Sequence, residues 1–446
     1  MDSIFSKESN QPMYIQLYNH FRSLILAGTL PSGSKLPSIR KCAAIYEVSK
    51  TTAEAAYVQL EAEGCIYSVA QSGFYVSQVS DFSSGTKKTF HPENSSQKNS
   101  IEFDFTSSAA DEESFDFNLW QRYIKSALRT GSRLLDYGDP QGEEDLRKAL
   151  CGYVLRSRGI VCNENQMVVG AGVQNLLQLL CVLEKERKNV LFLGMPYKKG
   201  ETVFRDFGKN VEYSAQFAPL ENNAEIIYTS PSHINHTGDV LNLTKRTGLL
   251  KIAGDSGSLI IEDDYDSEFS YTGHPVPALR SIDSGERVVY IGTFSKLLIP
   301  SIRISFMVLT PRLSEKYAQI RDNYNQTASK TEQIALCRYI SDGHLYSRIK
   351  KTKKLYSEKA RIFYSVLKNC KEFNVSLSQS GFFVSLIGES EKIENLKKAL
   401  ESENMKAAQA PCEYPGKSSL VFSVSSVSAE KIKISAERIV LLTENL

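Results

Sequence analysis

Apolar residues near the start of the chain recur with helical spacing. Leu17, Phe21, Leu24 and Ile25 fall at i, i+4, i+7 and i+8, one face of a helix, with Gly28 and the LPSGS turn closing it. A second short helix is predicted from Ser38 to about Tyr46. Ser49 then supplies an N-cap for a third, whose buried stripe is Ala53, Ala56, Tyr57 and Leu60 and whose end is Gly64. Two alternating runs, 66–69 and 74–77, flank Gln71-Ser72-Gly73 and predict a hairpin. A tight helix pair followed by a hairpin is the pattern of a winged helix-turn-helix.

Such a unit works on DNA by placing the N-terminal side chains of its second paired helix in the major groove. That makes Ser38, Arg40, Ser49, Lys50, Thr51 and Thr52 the candidate DNA-facing residues, with Gly73 allowing close approach of the wing tip. The competing explanation is that Ser49 and Thr52 only cap a surface helix, and periodicity alone does not separate the two. Charge does not help, because Lys plus Arg balances Asp plus Glu over residues 1–78.

Residues 79–102, VSDFSSGTKKTFHPENSSQKNSIE, have almost no apolar periodicity and read as a flexible linker. At that length it spans roughly 25–30 Å. Beyond it the pattern changes. Short apolar runs at 167–169, 190–193, 226–229, 259–261, 288–291 and 304–309 alternate with helical stretches. This predicts an α/β unit with a mainly parallel central sheet, in which ligand-binding groups gather at strand ends. The expected domains are 9–78, the linker 79–102, and 103–446, the last divided into a large part of about 103–330 and a C-terminal small part of about 331–446.

The residues just after each run define a chemistry. Gly170-Ala171-Gly172-Val173-Gln174 opens a helix whose amides suit a phosphate. Tyr197, Asn235, Asp263 with Tyr265, Thr293 with Ser295 and Lys296, and finally Arg303 come after the later runs. Singly, each is more often an ordinary strand-end loop. Together they describe pyridoxal 5'-phosphate, which offers a phosphate, a pyridine ring and an aldehyde. Lys296 is the candidate catalytic residue, forming the imine with the aldehyde, and Asp263 pairs with the ring nitrogen. Tyr265 and Asn235 hydrogen-bond the ring oxygen, and Tyr197 stacks on the ring. Gly172, Val173, Gln174, Thr293, Ser295 and Arg303 hold the phosphate.

Composition narrows the remaining possibilities. The chain has 446 residues, 41% of them hydrophobic, and a net charge of +2. There is no global basic signal, so any nucleic-acid contact is local. No apolar run approaches the length of a membrane span, and a cytoplasmic protein is expected. Eight scattered cysteines without a CxxC pair give no metal motif and are expected to be idle thiols.

Two stretches resemble known families. Pro12-x-Tyr14-x-Gln16, Gly28-x-Leu30, Leu36-Pro37-Ser38-x-Arg40, Val48-Ser49-Lys50-x-Thr52 and Ala56-Tyr57-x-x-Leu60-x-x-Glu63-Gly64 are similar to the GntR-type winged helix. From 103 onward the order of site residues resembles the fold-type I aminotransferases. The strings YGDPQGEEDLRKAL, IEDDYDSEFSY and YIGTFSKLLIPSIR are similar to the MocR/GabR regulators, which fuse these two domains. The resemblance implies transcription regulation through bound pyridoxal 5'-phosphate. It also implies a head-to-tail homodimer in which Tyr137 reaches the neighbouring subunit's phosphate.

The chain departs from that pattern in informative places. Aminotransferases hold the substrate carboxylate with a C-terminal arginine, but SSLVFSVSSVSAEKI at 418–432 has none. Ser426 falls at about the expected position, and Lys417 and Lys431 are the nearest cations in sequence. PSIRIS at 300–305 lacks the usual glycines, His236 replaces a proline, and Glu54 stands where relatives carry arginine or an apolar residue. A missing bidentate clamp costs about 1.5–3 kcal/mol of ligand binding. The expected function is therefore a sensor of pyridoxal 5'-phosphate itself, or of an amine or amino acid held by other groups such as Lys199. Promoter DNA is the partner, and little or no transamination is expected. The alternative is an active aminotransferase with an accessory N-terminal domain.

Overall fold

A computed structural model describes residues 11–77, 101–106, 114–195, 197–214, 224–235, 238–269, 276–283, 285–295, 297–378, 383–411 and 416–444. The chain divides into two compact units, residues 1–97 and 98–446. Most of the expected linker lies outside the described residues, as do Lys296 and His236.

The first unit contains α1 (Met13–Leu26), α2 (Ile39–Ile45) and α3 (Lys50–Ala62), then β1 (Ile66–Val69) and β2 (Gly73–Val76), which pair antiparallel. Ser38 and Ser49 each accept a backbone N–H three residues on and so start α2 and α3. Leu17, Phe21 and Ile25 are buried as the spacing predicted; Leu24 is only half-buried and Tyr18 takes its share of the face. These side chains close over Leu36, Cys42, Ala53, Ala56, Tyr57, Leu60, Ile66 and Val76. Tyr57 ties the helix pair together: fully buried, it donates its hydroxyl to the Pro37 carbonyl at 3.0 Å.

The second unit is built on a seven-stranded sheet. Its strands are β4 (Met167–Gly170), β5 (Asn189–Leu193), β6 (Asn210–Ser214), β7 (Ile226–Thr229), β8 (Leu259–Asp264), β9 (Val288–Thr293) and β10 (Ser305–Val308). They lie in the order β4-β10-β9-β8-β7-β5-β6, and β10 alone runs antiparallel to its neighbours. Only residues 294–304 join β9 to β10, too few for a crossover helix, so the chain must double back. The inner strands are buried on both faces, which is why they read as unbroken apolar runs rather than alternations. Edge strand β6, with Asn210 and Glu212 exposed, escapes that signature.

A smaller antiparallel sheet is ordered β11-β12-β15-β14: β11 (Asn374–Leu377), β12 (Phe383–Glu389), β14 (Ala408–Pro411) and β15 (Lys417–Ser423). Helices His344–Leu367, Ser390–Ser402 and Ala429–Glu444 cover it around Phe363, Leu386, Leu396, Leu420, Phe422 and Ile439. The short strands β3 (Phe103–Asp104) and β13 (Met405–Lys406) pair in parallel, fixing the start of this unit beside the small sheet.

Candidate functional site

The parallel strands β4, β5, β7, β8 and β9 end along one edge of the large sheet, and most of the predicted ring-site residues lie there. β4 ends at Gly170, and Gly172 begins the helix Val173–Leu183 with no side chain capping its first amides. Gly172 has φ 99° and ψ 167°, a conformation open almost only to glycine. A Cβ there would meet the Arg303 guanidinium at 2.5 Å. Arg303, left-handed at the end of the 300–302 turn, donates Nη2 to the Ala171 carbonyl at 3.3 Å. Two segments 132 residues apart thus put a guanidinium against a helix N-terminus that no described side chain caps, a pairing suited to an anion.

A hydroxyl row lies on the neighbouring strand ends. Ser305 donates to Thr293 Oγ1 at 2.9 Å, and Thr293 donates to Ser295 Oγ at 3.2 Å. Ser305, one of the positions where glycine was expected, is fully buried and adds a hydroxyl to this row. Gln174 turns its side-chain amide to the Lys199 carbonyl, leaving its backbone N–H in the first turn of the helix. Thr327, which no sequence signal pointed to, accepts from the Ala171 N–H at 3.1 Å and donates to Asn175 Oδ1 at 2.7 Å.

Beside this cradle lies an acidic floor. Asp263 at the end of β8 is buried and accepts a hydrogen bond from the Tyr228 hydroxyl. The rings of Tyr228 and Tyr197 stack at 6.0 Å between centroids and 17° between planes. Tyr197 is positioned by Gly200, where a Cβ would stand 2.5 Å from its ring. Burial and the Asp263 charge push the Tyr197 phenol up to about 12, while Arg303 pulls it down. Tyr197, Asp263 and Arg303 therefore share one electrostatic neighbourhood. Tyr228 was missed from the sequence because it sits inside an apolar strand run, where a tyrosine reads as core.

Tyr265 lies 5.4 Å from the His233 ring, and His233 Nδ1 is paired with Asp266 Oδ2 at 2.9 Å in full burial. Burial, with the charges of Asp266, Asp263 and Asp264, raises the Tyr265 phenol well above its ordinary value. His233 also packs edge-on to Phe383 at 4.9 Å, which brings the start of β12 to this corner. Beneath lies a second ionised group: Arg158 Nε stands 2.8 Å from Asp264 Oδ2, which also accepts from Tyr290 at 3.0 Å and Ser267 at 2.8 Å. Asn235 Nδ2 donates to Asp239 Oδ2 at 2.8 Å and its Oδ1 accepts the Asp239 N–H at 3.0 Å, an Asx-type turn.

Ser426, in the loop before the last helix, donates its hydroxyl to the Asp104 carbonyl at 2.6 Å. One cation that reaches this loop was not visible in the local sequence: buried Lys359 of helix His344–Leu367 donates to the Ser425 carbonyl at 3.3 Å. Tyr137 is 96% exposed.

On the first unit, Arg40, Lys50 and Thr51 are exposed and Thr52 is half-buried. Ser49 Oγ accepts the Thr52 N–H at 3.0 Å and bonds the hydroxyls of Thr51 and Thr52 at 2.8 and 2.7 Å. Ser38 accepts the Lys41 N–H at 3.3 Å. The two serines thus serve the helix starts. The first turn of α3 carries Lys50 and no carboxylate, and Glu54 lies exposed in the next. Gly73, with φ 117°, comes after left-handed Gln71 in the hairpin turn.

Known proteins share this arrangement. The family described as aminotransferase class I and II matches residues 108–439, and the gntR family of bacterial regulatory proteins matches residues 13–76. The chain belongs to both, in the fused arrangement of the MocR/GabR-type transcriptional regulators. It is 34% identical over 379 residues to the HTH-type transcriptional regulator YhdI of Bacillus subtilis, covering 81% of this chain and 80% of that one. It is 29% identical to MocR of Rhizobium meliloti, a probable rhizopine catabolism regulatory protein, over 81% and 78% of the two chains. An archaeal alanine:glyoxylate aminotransferase shares the fold with a TM-score of 0.68 at 21% identity, over 77% of this chain and 91% of that one. The regulator reading therefore stands over that of an aminotransferase with an accessory domain. Among the described residues, no helix is long and apolar enough to cross a membrane.

Proposed function

We propose that this chain regulates transcription by binding promoter DNA through α2, α3 and the hairpin, and that its second unit binds pyridoxal 5'-phosphate as a sensor rather than as an aminotransferase. The observation that carries the reading is the Arg303 guanidinium lodged against Gly172 at the uncapped start of Val173–Leu183, beside the Tyr197–Tyr228–Asp263 chain. The donor set fits the cofactor. The helix amides of Val173 and Gln174, with Thr293, Ser295 and Arg303, take the phosphate. Buried Asp263 takes the ring nitrogen, with Tyr228 orienting its carboxylate, and Tyr197 covers the ring. When bound, the group supplies an aldehyde that condenses with amines, and Lys296 is the amine placed nearest by sequence, one residue beyond Ser295.

The substrate side is what sets this chain apart from an enzyme. Ser426 spends its hydroxyl on the Asp104 backbone, and a serine cannot grip a carboxylate in the two-pronged manner of arginine. The effector is then the cofactor itself or an amine recognised without that clamp. Tyr137 completes the phosphate site of a second subunit in a head-to-tail dimer, and the protein works in the cytoplasm. The deciding experiment is spectroscopic. Protein reconstituted with pyridoxal 5'-phosphate acquires a visible absorbance band that Lys296→Ala lacks, and a panel of amino acids leaves the band in place. A protein that never takes up the cofactor, or one whose band is rapidly bleached by amino acids, overturns the sensor reading.

A further inference from the structure

The cysteines were expected to be idle, and the structure brings two of them together. Cys151 lies on the helix Glu144–Arg158 and Cys162 four residues beyond its end. Gly159, left-handed at φ 68°, turns the chain back along the helix, and the two sulfurs approach to 3.6 Å. Both residues are half-buried, whereas Cys42, Cys181 and Cys370 are buried.

Their surroundings make them unequal. Arg280 is buried and gives Nη1 to the Gly285 and Val288 carbonyls and Nη2 to that of Leu309. Its Nε has no hydrogen-bond partner among the described residues, and its charge acts on Cys162 as well as on Asp283 and Glu262. The Cys151 thiol, hydrogen-bonded to Cys162, and then the Arg280 charge hold Cys162 below the usual thiol range, against the effect of its burial. The same contact, with burial, pushes Cys151 the other way. The two thiols are thus shifted in opposite directions, Cys162 toward its thiolate and Cys151 away from it, as suits an attacking and a resolving cysteine.

We propose that Cys151 and Cys162 form an oxidisable pair that takes a hydroperoxide as its substrate and closes to an intramolecular disulfide. The Cys162 thiolate attacks the peroxide oxygen, breaking the O–O bond; the sulfur becomes a sulfenic acid and the oxidant leaves as water or an alcohol after taking a proton. The Cys151 thiol then attacks the Cys162 sulfur. The S–S bond forms, the sulfenic hydroxyl departs with the Cys151 proton as water, and the pair has lost two electrons to the peroxide. Closing a 3.6 Å gap to a disulfide bond asks the sulfurs to move together by about 1.5 Å. The turn between them can supply this. It carries Arg158, so the movement reaches the Arg158–Asp264 pair under the ring site.

The full-length protein tests this directly. It is treated with hydrogen peroxide, remaining thiols are alkylated, and the chain is cut with trypsin without reduction. Arg156 and Arg158 lie between the two cysteines, so the protease separates their peptides unless a disulfide joins them. The expected product is a linked Cys151–Cys162 peptide, lost on treatment with dithiothreitol, with fragmentation showing the bond at Cys162 and the alkyl group on Cys181 of the same tryptic peptide. Cys151→Ser should leave a sulfenic acid at Cys162 that dimedone traps. The proposal is overturned if both peptides are recovered alkylated, if Cys162 goes on to sulfinic acid while Cys151 is still alkylated, or if either sulfur pairs instead with another cysteine. The wild-type peptide map needs no variant, so the result does not depend on whether Cys151→Ser folds.

Discussion

Gly172→Ala is the sharpest test of the proposed phosphate cradle. Two separate costs arise from one methyl group. The backbone conformation, φ 99° with ψ 167°, is strained for any residue with a Cβ by about 1–3 kcal/mol. The Cβ would also stand 2.5 Å from Arg303 Nη2 and 3.2 Å from Cζ, too close to be tolerated, so the guanidinium must leave. Its departure forfeits a charge-assisted hydrogen bond to the phosphate of about 1.5–3 kcal/mol, or a loss of roughly 10- to 150-fold in affinity. The strain falls on the fold and the displacement on the ligand, so they can be measured apart. Urea melts of the cofactor-free protein report the first, and titration with pyridoxal 5'-phosphate followed by visible absorbance reports the second. Arg303→Ala should weaken binding to a similar degree. The double variant should be little worse than either alone, because both changes remove the same contact. Wild-type affinity in Gly172→Ala, or full additivity in the double variant, refutes the claim that Gly172 exists to admit Arg303.

Other outcomes rest on the same geometry. Tyr228→Phe removes the hydroxyl that serves buried Asp263 and should lower stability or cofactor affinity by about 1–3 kcal/mol in the same two assays; no change in either means that this hydroxyl does not support Asp263. Lys50→Ala and Arg40→Ala should weaken promoter binding and each reduce the slope of affinity against salt by about one unit, read by fluorescence anisotropy over a salt series; unchanged slopes remove these side chains from the DNA interface. Ser49→Ala should cost about 1 kcal/mol of stability in a thermal melt while leaving the salt slope alone, since its oxygen caps α3. Burial, then the Asp264 charge, raises the Glu268 carboxyl to about 7. A carboxyl raised in the folded chain favours its protonated form. Its contribution is therefore fullest below the unfolded value of 4.5 and is lost as pH climbs through about 7, by at most about 3 kcal/mol. Melting temperature should fall across that window and fall less in Glu268→Gln; equal falls in both proteins acquit Glu268.

The sequence was most legible where one local rule decided the outcome. Ser38 and Ser49 announced two helix starts, and the buried strands of the large sheet announced themselves as apolar runs because helices cover both faces. It was least legible where partners are far apart in the chain. Nothing in the neighbourhood of residue 426 reveals that Lys359, 66 residues upstream of Ser425, delivers a cation to that loop. Thr327 likewise reaches back to residues 171 and 175 across the fold, and Tyr228 is found only when the hydroxyl is seen to meet Asp263. Asn235 is the opposite case: its role was read from spacing across the sheet, and the structure adds a local partner, Asp239, four residues on, which both donates to it and accepts from it.

These long-range pairings also explain why the two halves of the ring site have fared differently. The phosphate side depends on backbone: a glycine conformation, a helix start and one guanidinium lodged between them. On the proposed reading, few substitutions there would leave the anion held. The carboxylate side of an aminotransferase depends on a single long side chain. Here that loop has been closed from within, by Ser426 on the Asp104 carbonyl and Lys359 on the Ser425 carbonyl, at the place where β3 and the last loop meet. Simply restoring an arginine at Ser426 would therefore break a backbone anchor before it gained a ligand. On the proposed sensor reading, tying down this loop removes the grip on a substrate carboxylate while leaving the phosphate cradle untouched.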